Sequence, residues 1–306
     1  MENILIVIIG PTAIGKTALS IQLANHFNCD ILSCDSRQFF KEMKIGTAVP
    51  NYEELAAAPH HFIQNKSIFE NYSVGDFEKE ALEKLEELFQ KNPIQVMVGG
   101  SGLYVDAVLK GFDEFPDIVP SIREEINCNY EKLGIEYLQK TLQELDTDYF
   151  HYLEKTNPQT LQNPQRMKRF VEVCIGSGLA YLSFVGKRKI TRNFTPIIIG
   201  LEADRTIMYE RINRRVDVMM SEGLLEEAQS LYSNKNLNAL QTVGYRELFD
   251  FFDRNTTLEF AVEEIKKNTR RFAKRQMTWF KRTENAIWFD FKTPVAVIIE
   301  TIQSKI

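Results

Sequence analysis

Residues 4–17 read Ile4-Leu5-Ile6-Val7-Ile8-Ile9-Gly10-Pro11-Thr12-Ala13-Ile14-Gly15-Lys16-Thr17. The apolar run Ile4 to Ile9 reads as a strand, the context a phosphate-binding loop requires. The segment that follows has glycines spaced to let the backbone wrap a polyphosphate with its N–H groups pointing inward, and it ends in Lys-Thr. Lys16 supplies a cation and Thr17 a hydroxyl suited to Mg²⁺. A helix expected over Ala18 to Phe27, apolar at Leu19, Leu23 and Phe27, adds the positive end of its dipole. Gly10, Pro11, Thr12, Ala13, Ile14, Gly15, Lys16 and Thr17 are therefore the expected diphosphate-binding set, with Thr17 as the metal position. The motif leaves open whether the diphosphate belongs to a nucleotide.

Outward from this stretch, strand-like and helix-like runs alternate. Ile31 to Cys34 leads into Asp35, Ile94 to Val98 leads into Gly99-Gly100, Pro196 to Leu201 is apolar and β-branched, and Ala286 to Phe289 is a late candidate. Phe77 to Phe89 is apolar at the helix period. Such alternation predicts an α/β core with a mostly parallel sheet. Ligands of these sheets collect beyond the carboxyl ends of the strands, which puts Asp35, Ser101 and the phosphate loop at one crevice. From Pro116 to Arg192 strand signals vanish and charged helical segments take over. We therefore expect a core of residues 1–115 and 193–306 interrupted by a helical insertion over 116–192.

The composition bounds the function. With 306 residues, 44% hydrophobic and 26% charged, the chain falls among globular proteins and outside the disordered class. A net charge of −5 gives no general affinity for nucleic acid, so any such affinity must come from local clusters. Cys29, Cys34, Cys128 and Cys174 lack C-x-x-C spacing and read as reduced thiols. No apolar run reaches bilayer length and no basic leader precedes the first strand, so a cytoplasmic protein without membrane contact is expected.

Three further groups carry chemistry. Asp35, at a strand end beside the phosphate loop, suits proton acceptance or a water-mediated contact with Mg²⁺. Gly99-Gly100-Ser101-Gly102 permits close approach of a ligand and offers the Ser101 hydroxyl; a plain turn would read the same way. Lys266 to Arg282 carries Lys266, Lys267, Arg270, Arg271, Lys274, Arg275, Lys281 and Arg282 without an acid. In an acidic chain this points to a polyanionic partner, and Arg166, Lys168, Arg169 and Lys187 to Lys189 add cations on the insertion.

Taken in order, Gly10 to Thr17, Asp35-Ser36-Arg37-Gln38, Gly46-Thr47-Ala48, His60-His61-Phe62-Ile63, Gly99 to Tyr104, Asn163-Pro164-Gln165-Arg166, Val243-Gly244-Tyr245-Arg246 and Ala273 to Phe280 resemble the bacterial tRNA dimethylallyltransferases over nearly the whole chain. The resemblance implies a P-loop nucleoside-triphosphatase-like core with a helical insertion that grips the tRNA anticodon stem-loop. It also implies transfer of the dimethylallyl group of dimethylallyl diphosphate, with Mg²⁺, to N6 of the adenosine just 3′ of the anticodon. Asp35 would be the general base, with Ser101 and Lys16 also catalytic, while Arg215 and Arg211 would join the phosphate loop in holding the donor. RNA contacts carry over to Asp35, Ser36, Arg37, Gln38, Gln165, Arg166, Met167, Lys168, Arg169, Gly244, Tyr245, Arg246, Lys274, Arg275, Gln276 and Trp279. A monomer is expected. Val49, where relatives often have Lys, and Gln64-Asn65, where an Asp is common, depart from the pattern. The rival readings are a dimethylallyltransferase acting on free adenylate, which would need neither the insertion nor the basic segment, and an ATP-using P-loop kinase.

Overall fold

The computed structural model describes residues 2–186 and 191–306, so the basic stretch Lys187 to Lys189 lies outside the described residues. The chain forms two compact units, one of Met1–Gly111 with Arg192–Ile306 and the other of Phe112–Thr191.

The first unit runs β1 (Ile4–Ile9), α1 (Lys16–Phe27), β2 (Ile31–Ser33), α2 (Tyr52–Ala57), β3 (His60–His61), α3 (Val74–Phe89), β4 (Ile94–Val98) and α4 (Gly102–Lys110) before the second unit departs. The sheet order is β3-β2-β4-β1-β5-β6, completed by two strands of the returning chain, and every pairing is parallel. β1 lies between β4 and β5, with Ile4 opposite both Ile94 and Thr195. Its alternate side chains enter different cores. Ile4, Ile6 and Ile8 pack with Leu19, Leu23, Ile212 and Ile302, while Leu5, Val7 and Ile9 pack with Phe77, Leu85, Val105 and Phe280. The aliphatic run is thus explained by burial on both faces. The edge strand β3 has only two residues, too few to leave a period in the sequence.

The helical unit contains α5 (Pro120–Leu145), α6 (Thr147–Thr156) and α7 (Pro164–Ser177). Its core gathers Ile126, Leu138, Leu142, Tyr149, Met167, Phe170 and Val171. α5 breaks at Gly134, whose φ of 74° and ψ of −163° strain any other residue. Asn163 starts α7 by accepting the N–H groups of Gln165 and Arg166 on its side-chain oxygen.

The returning chain adds β5 (Thr195–Glu202), α8 (Arg205–Ser221), α9 (Leu224–Leu231), α10 (Tyr245–Phe252), α11 (Leu258–Phe280), β6 (Ile287–Asp290) and α12 (Val295–Gln303). The end of α8, α9, α10 and the start of α11 enclose a separate core with Val216, Leu224, Ala228, Tyr245, Leu248 and Ile265. Phe40, Met43 and Ile68, from the connection between β2 and α3, insert into it. Among the described residues no helix is long and apolar enough to cross a membrane.

Candidate active site

The loop between β1 and α1 lies at the carboxyl end of the sheet's inner strand. Gly10 has a φ of 148°, and a Cβ there would stand 2.7 Å from the Leu201 carbonyl oxygen, so the loop can leave the strand only as glycine. Lys16 opens α1 and its Nζ donates to the Pro11 carbonyl at 2.8 Å, folding the ammonium back over its own loop. The backbone N–H of Thr12 donates to Gln276 Oε1 at 2.9 Å, and Gln276 Nε2 donates to the Gly100 carbonyl at 2.8 Å. One buried amide of α11 therefore joins the phosphate loop to the turn after β4.

A cavity of about 650 Å³ opens beside this loop. Its wall includes Thr12 to Thr17, Asp35, Gln38, residues 44–45 and 47–52, His60, Gly99, Gly100 and Arg215. The loop, the end of β2 and the turn after β4 thus share one crevice. Arg215 Nη1 donates to Thr12 Oγ1 at 3.3 Å, whereas Arg211 Nε donates to the Ala13 carbonyl at 2.8 Å and is not part of the cavity wall. Arg215 faces the ligand space, and Arg211 braces the loop.

Asp35 accepts the Arg37 N–H at 3.1 Å. Burial pushes its carboxyl above the ordinary range, opposed by the backbone N–H groups of Arg37 and Gln38 and by the charges of Lys16 and Arg37. Burial brings the Lys16 ammonium down to about 8, with Asp35 opposing and Arg215 adding to the shift. The site thus holds a carboxylate made more basic and an ammonium made more acidic, an arrangement typical of groups that exchange protons or await an anion. Ser101 does not line the cavity; its Oγ accepts the Ser36 N–H at 3.0 Å and bonds the Ser36 hydroxyl at 3.0 Å. It therefore holds the segment after Asp35 in place.

Several of the remaining expected contacts occupy other settings. Met167 and Tyr245 are fully buried in their cores, so neither side chain is offered to a ligand, and Gln276 spends its amide on the phosphate loop. The cause is helical period: each stands on the inward face of a helix whose outward neighbours are polar. Lys168 is also mostly covered, its Nζ 4.2 Å from the centre of the Tyr130 ring. Gln165, Arg166, Arg246, Lys274 and Arg275 are exposed, and Gly244 is buried. Arg169 pairs with Glu172 at 3.1 Å, and Arg37 donates to the Asn238 carbonyl at 3.1 Å. Trp279 donates its Nε1–H to Asp106 at 2.8 Å while keeping 38% of its surface exposed.

The basic segment is less free than its sequence implies. Lys266 pairs with Asp217 and Glu263, Lys267 with Glu264 and Lys281 with Glu202, and Arg270 donates to Asn213. Lys274 and Arg275 form no ion pair among the described residues. Sequence reasoning also missed cavity residues, chiefly Glu54, Met219, Glu222 and the ring of His60. His60 Nδ1 sits 2.8 Å from the Ala58 carbonyl, and its buried Nε2 has no hydrogen-bond partner among the described residues.

A parallel sheet whose inner strand β1 leads into the glycine-bounded Gly10–Thr17 turn, with the Asp35 carboxylate and Arg215 lining the same cavity, defines a P-loop-like α/β protein. Residues 38–283 match the family model described as IPP transferase, and the chain belongs to that family. It is 72% identical over 303 residues to a tRNA dimethylallyltransferase of Flavobacterium psychrophilum, covering 99% of both chains. A tRNA dimethylallyltransferase of Flavobacterium johnsoniae is 68% identical over 306 residues, with 99% of each covered. Among solved structures, the full-length tRNA isopentenylpyrophosphate transferase of Bacillus halodurans superposes with a TM-score of 0.73 at 34% identity, covering 100% of this chain and 97% of that one. A eukaryotic dimethylallyltransferase acting on tRNA superposes with a TM-score of 0.79 at 26% identity, covering 99% and 77%.

Proposed function

We propose that this chain transfers the dimethylallyl group of dimethylallyl diphosphate to N6 of the adenosine just 3′ of the anticodon in tRNA and releases diphosphate. The observation that carries the reading is the meeting of Lys16, Arg215 and the phosphate loop with the Asp35 carboxylate in one cavity, in a member of this family. Attack of N6 on the allylic carbon forms the N–C bond as the C–O bond breaks. The bonding electrons leave with the diphosphate, and the N6 proton passes to Asp35. Backbone N–H groups, Lys16 and Arg215 stabilise the negative charge where it builds. The raised proton affinity of Asp35 suits acceptance from an amino group whose acidity grows as the bond forms.

The adenine must leave the anticodon-loop stack to reach the cavity. Lys274 and Arg275 on α11, with Arg246, Ser36 and Arg37, are the core's contributors to RNA binding on this reading. Gln165 and Arg166 contribute from the helical unit. Among the described residues no group of three or more His, Cys, Asp or Glu converges as a metal site. Mg²⁺ fits nonetheless, because it takes most of its ligands from substrate phosphate oxygens and water and needs only one or two protein oxygens. The Thr17 hydroxyl, with Asp35 through water, would hold it, and its charge would stabilise the departing diphosphate. This reading assigns a cytoplasmic, monomeric enzyme.

The test offers labelled dimethylallyl diphosphate and Mg²⁺ to the protein with unmodified tRNA in one reaction and AMP in another. Label in tRNA adenosine alone is the expected result. Label in AMP would move the assignment to a free-nucleotide transferase, and label in neither would refute the reading.

A further inference from the structure

Residues 44–45 and 47–50 of one loop line the cavity, and the loop is part of no helix or strand. A carboxylate from another element anchors the loop's first three residues. Glu227, in the first turn of α9, accepts the N–H groups of Lys44 at 2.9 Å and Ile45 at 2.8 Å on Oε2 and of Gly46 at 2.9 Å on Oε1. The fully buried Tyr245, on α10, donates its hydroxyl to Oε1 at 2.6 Å. Three successive backbone N–H groups converging on one point form an anion-binding concavity, and here the chain fills it with its own side chain. The fit is also steric, because a Cβ on Gly46 would lie 2.6 Å from the Tyr245 ring.

From this anchor the contacts continue toward the reacting groups. Gln38 Nε2 donates to the carbonyls of Thr47 at 3.2 Å and Ala48 at 2.9 Å, and Gln38 Oε1 accepts the Ser33 hydroxyl at 3.2 Å at the end of β2. Gln38 and Asp35 both line the cavity. We propose that Glu227, seated by Tyr245, is a positioning residue for the transfer reaction: it fixes the 44–48 loop and, through Gln38, the cavity wall that faces the phosphate loop and Asp35. This rests on the transferase reading for its kinetic consequence, while the loop geometry stands apart from it.

The experiment compares wild type with Glu227→Ala, Glu227→Gln and Tyr245→Phe. Glu227→Gln sets an N–H₂ group against backbone N–H donors, so it does not substitute for the carboxylate. Tyr245→Phe removes one bond of four and keeps the ring under Gly46, which makes it the variant that tests the idea should Glu227→Ala fail to fold. Hydrogen exchange is followed over residues 41–50 and over β1, and steady-state constants are measured for dimethylallyl diphosphate and tRNA. The expected result is exchange at 44–46 faster by tenfold or more in the Glu227 variants with β1 protection retained. Donor kcat/KM should fall at least tenfold while the KM for tRNA stays within threefold, and Tyr245→Phe should show a smaller change of the same kind. Wild-type exchange at 44–46, or loosened exchange with donor constants within twofold of wild type, would overturn the proposal. A wild-type protein that transfers no label to tRNA would refute the function instead, leaving the exchange result to judge the anchor.

Discussion

Gln276→Leu is the perturbation that most directly tests how the phosphate loop is held. The substitution roughly preserves volume but removes the acceptor of the Thr12 N–H, 2.9 Å away, and the donor to the Gly100 carbonyl, 2.8 Å away. A buried polar group left without its partner costs about 1–3 kcal/mol. The loop borders an open cavity where water can partly replace the amide, so the low end applies to both groups, about 2 kcal/mol together. At about 1.4 kcal/mol per factor of ten, that is a loss of roughly 30-fold. It falls on the arrangement of the loop that would bind diphosphate, so kcat/KM for dimethylallyl diphosphate should drop by that factor while tRNA affinity is nearly unchanged. Gln276→Glu keeps the acceptor for Thr12 but sets a carboxylate oxygen against the Gly100 carbonyl, so its effect should be larger. The assay is steady-state transfer at saturating tRNA with the donor varied, beside filter binding of tRNA. Donor kcat/KM within threefold of wild type would refute the reasoning, as would lost tRNA affinity with unchanged donor constants, which would make Gln276 an RNA contact.

Because burial brings Lys16 down to about 8, the free enzyme should lose its cation as pH rises through that value. Donor kcat/KM should decline above about pH 8 while kcat, measured with the anion bound, holds to higher pH; Lys16→Arg should remove that limb, and a flat profile would contradict it. On the acid side, Asp35 is raised above the ordinary carboxylate range, so activity should be lost on lowering pH before an unperturbed aspartate would protonate. Asp35→Asn should lower kcat by about 10²–10⁴ with tRNA binding retained, and near-wild-type turnover would remove Asp35 as the base. Neutralising Lys274 and Arg275 should weaken tRNA binding and flatten the slope of log affinity against log salt by about 0.7–0.9 per cation. Lys266→Gln, which removes a cation already paired with Asp217 and Glu263, should leave the slope unchanged.

The strand–loop–helix opening, the succession of strands and the helical texture of the middle of the chain were legible in sequence because each is a local pattern. An aliphatic strand-like run, a glycine-spaced loop and a helical period depend on residues within a turn or two of each other. The same locality explains which site residues could be read: Lys16, Thr17 and Asp35 stand at or beside strand ends, where a parallel sheet gathers its ligands.

Tertiary structure alone decided what the long-range partners do. The cations of 266–282 read as one charged run, yet acids from α8, β5 and α11's own first half neutralise several of them. Gln276 and Tyr245 stood in motifs aligned with RNA-contacting segments, but the packing of α10 and α11 turns both inward, one to the phosphate loop and one to Glu227. Glu227 itself had no sequence signal: a glutamate in the first turn of a helix is ordinary there. Its distinction comes from three backbone N–H groups about 180 residues earlier in the chain. A hydrogen bond is set by distance in space, and no spacing rule within one sequence encodes which distant amide a carboxylate will meet.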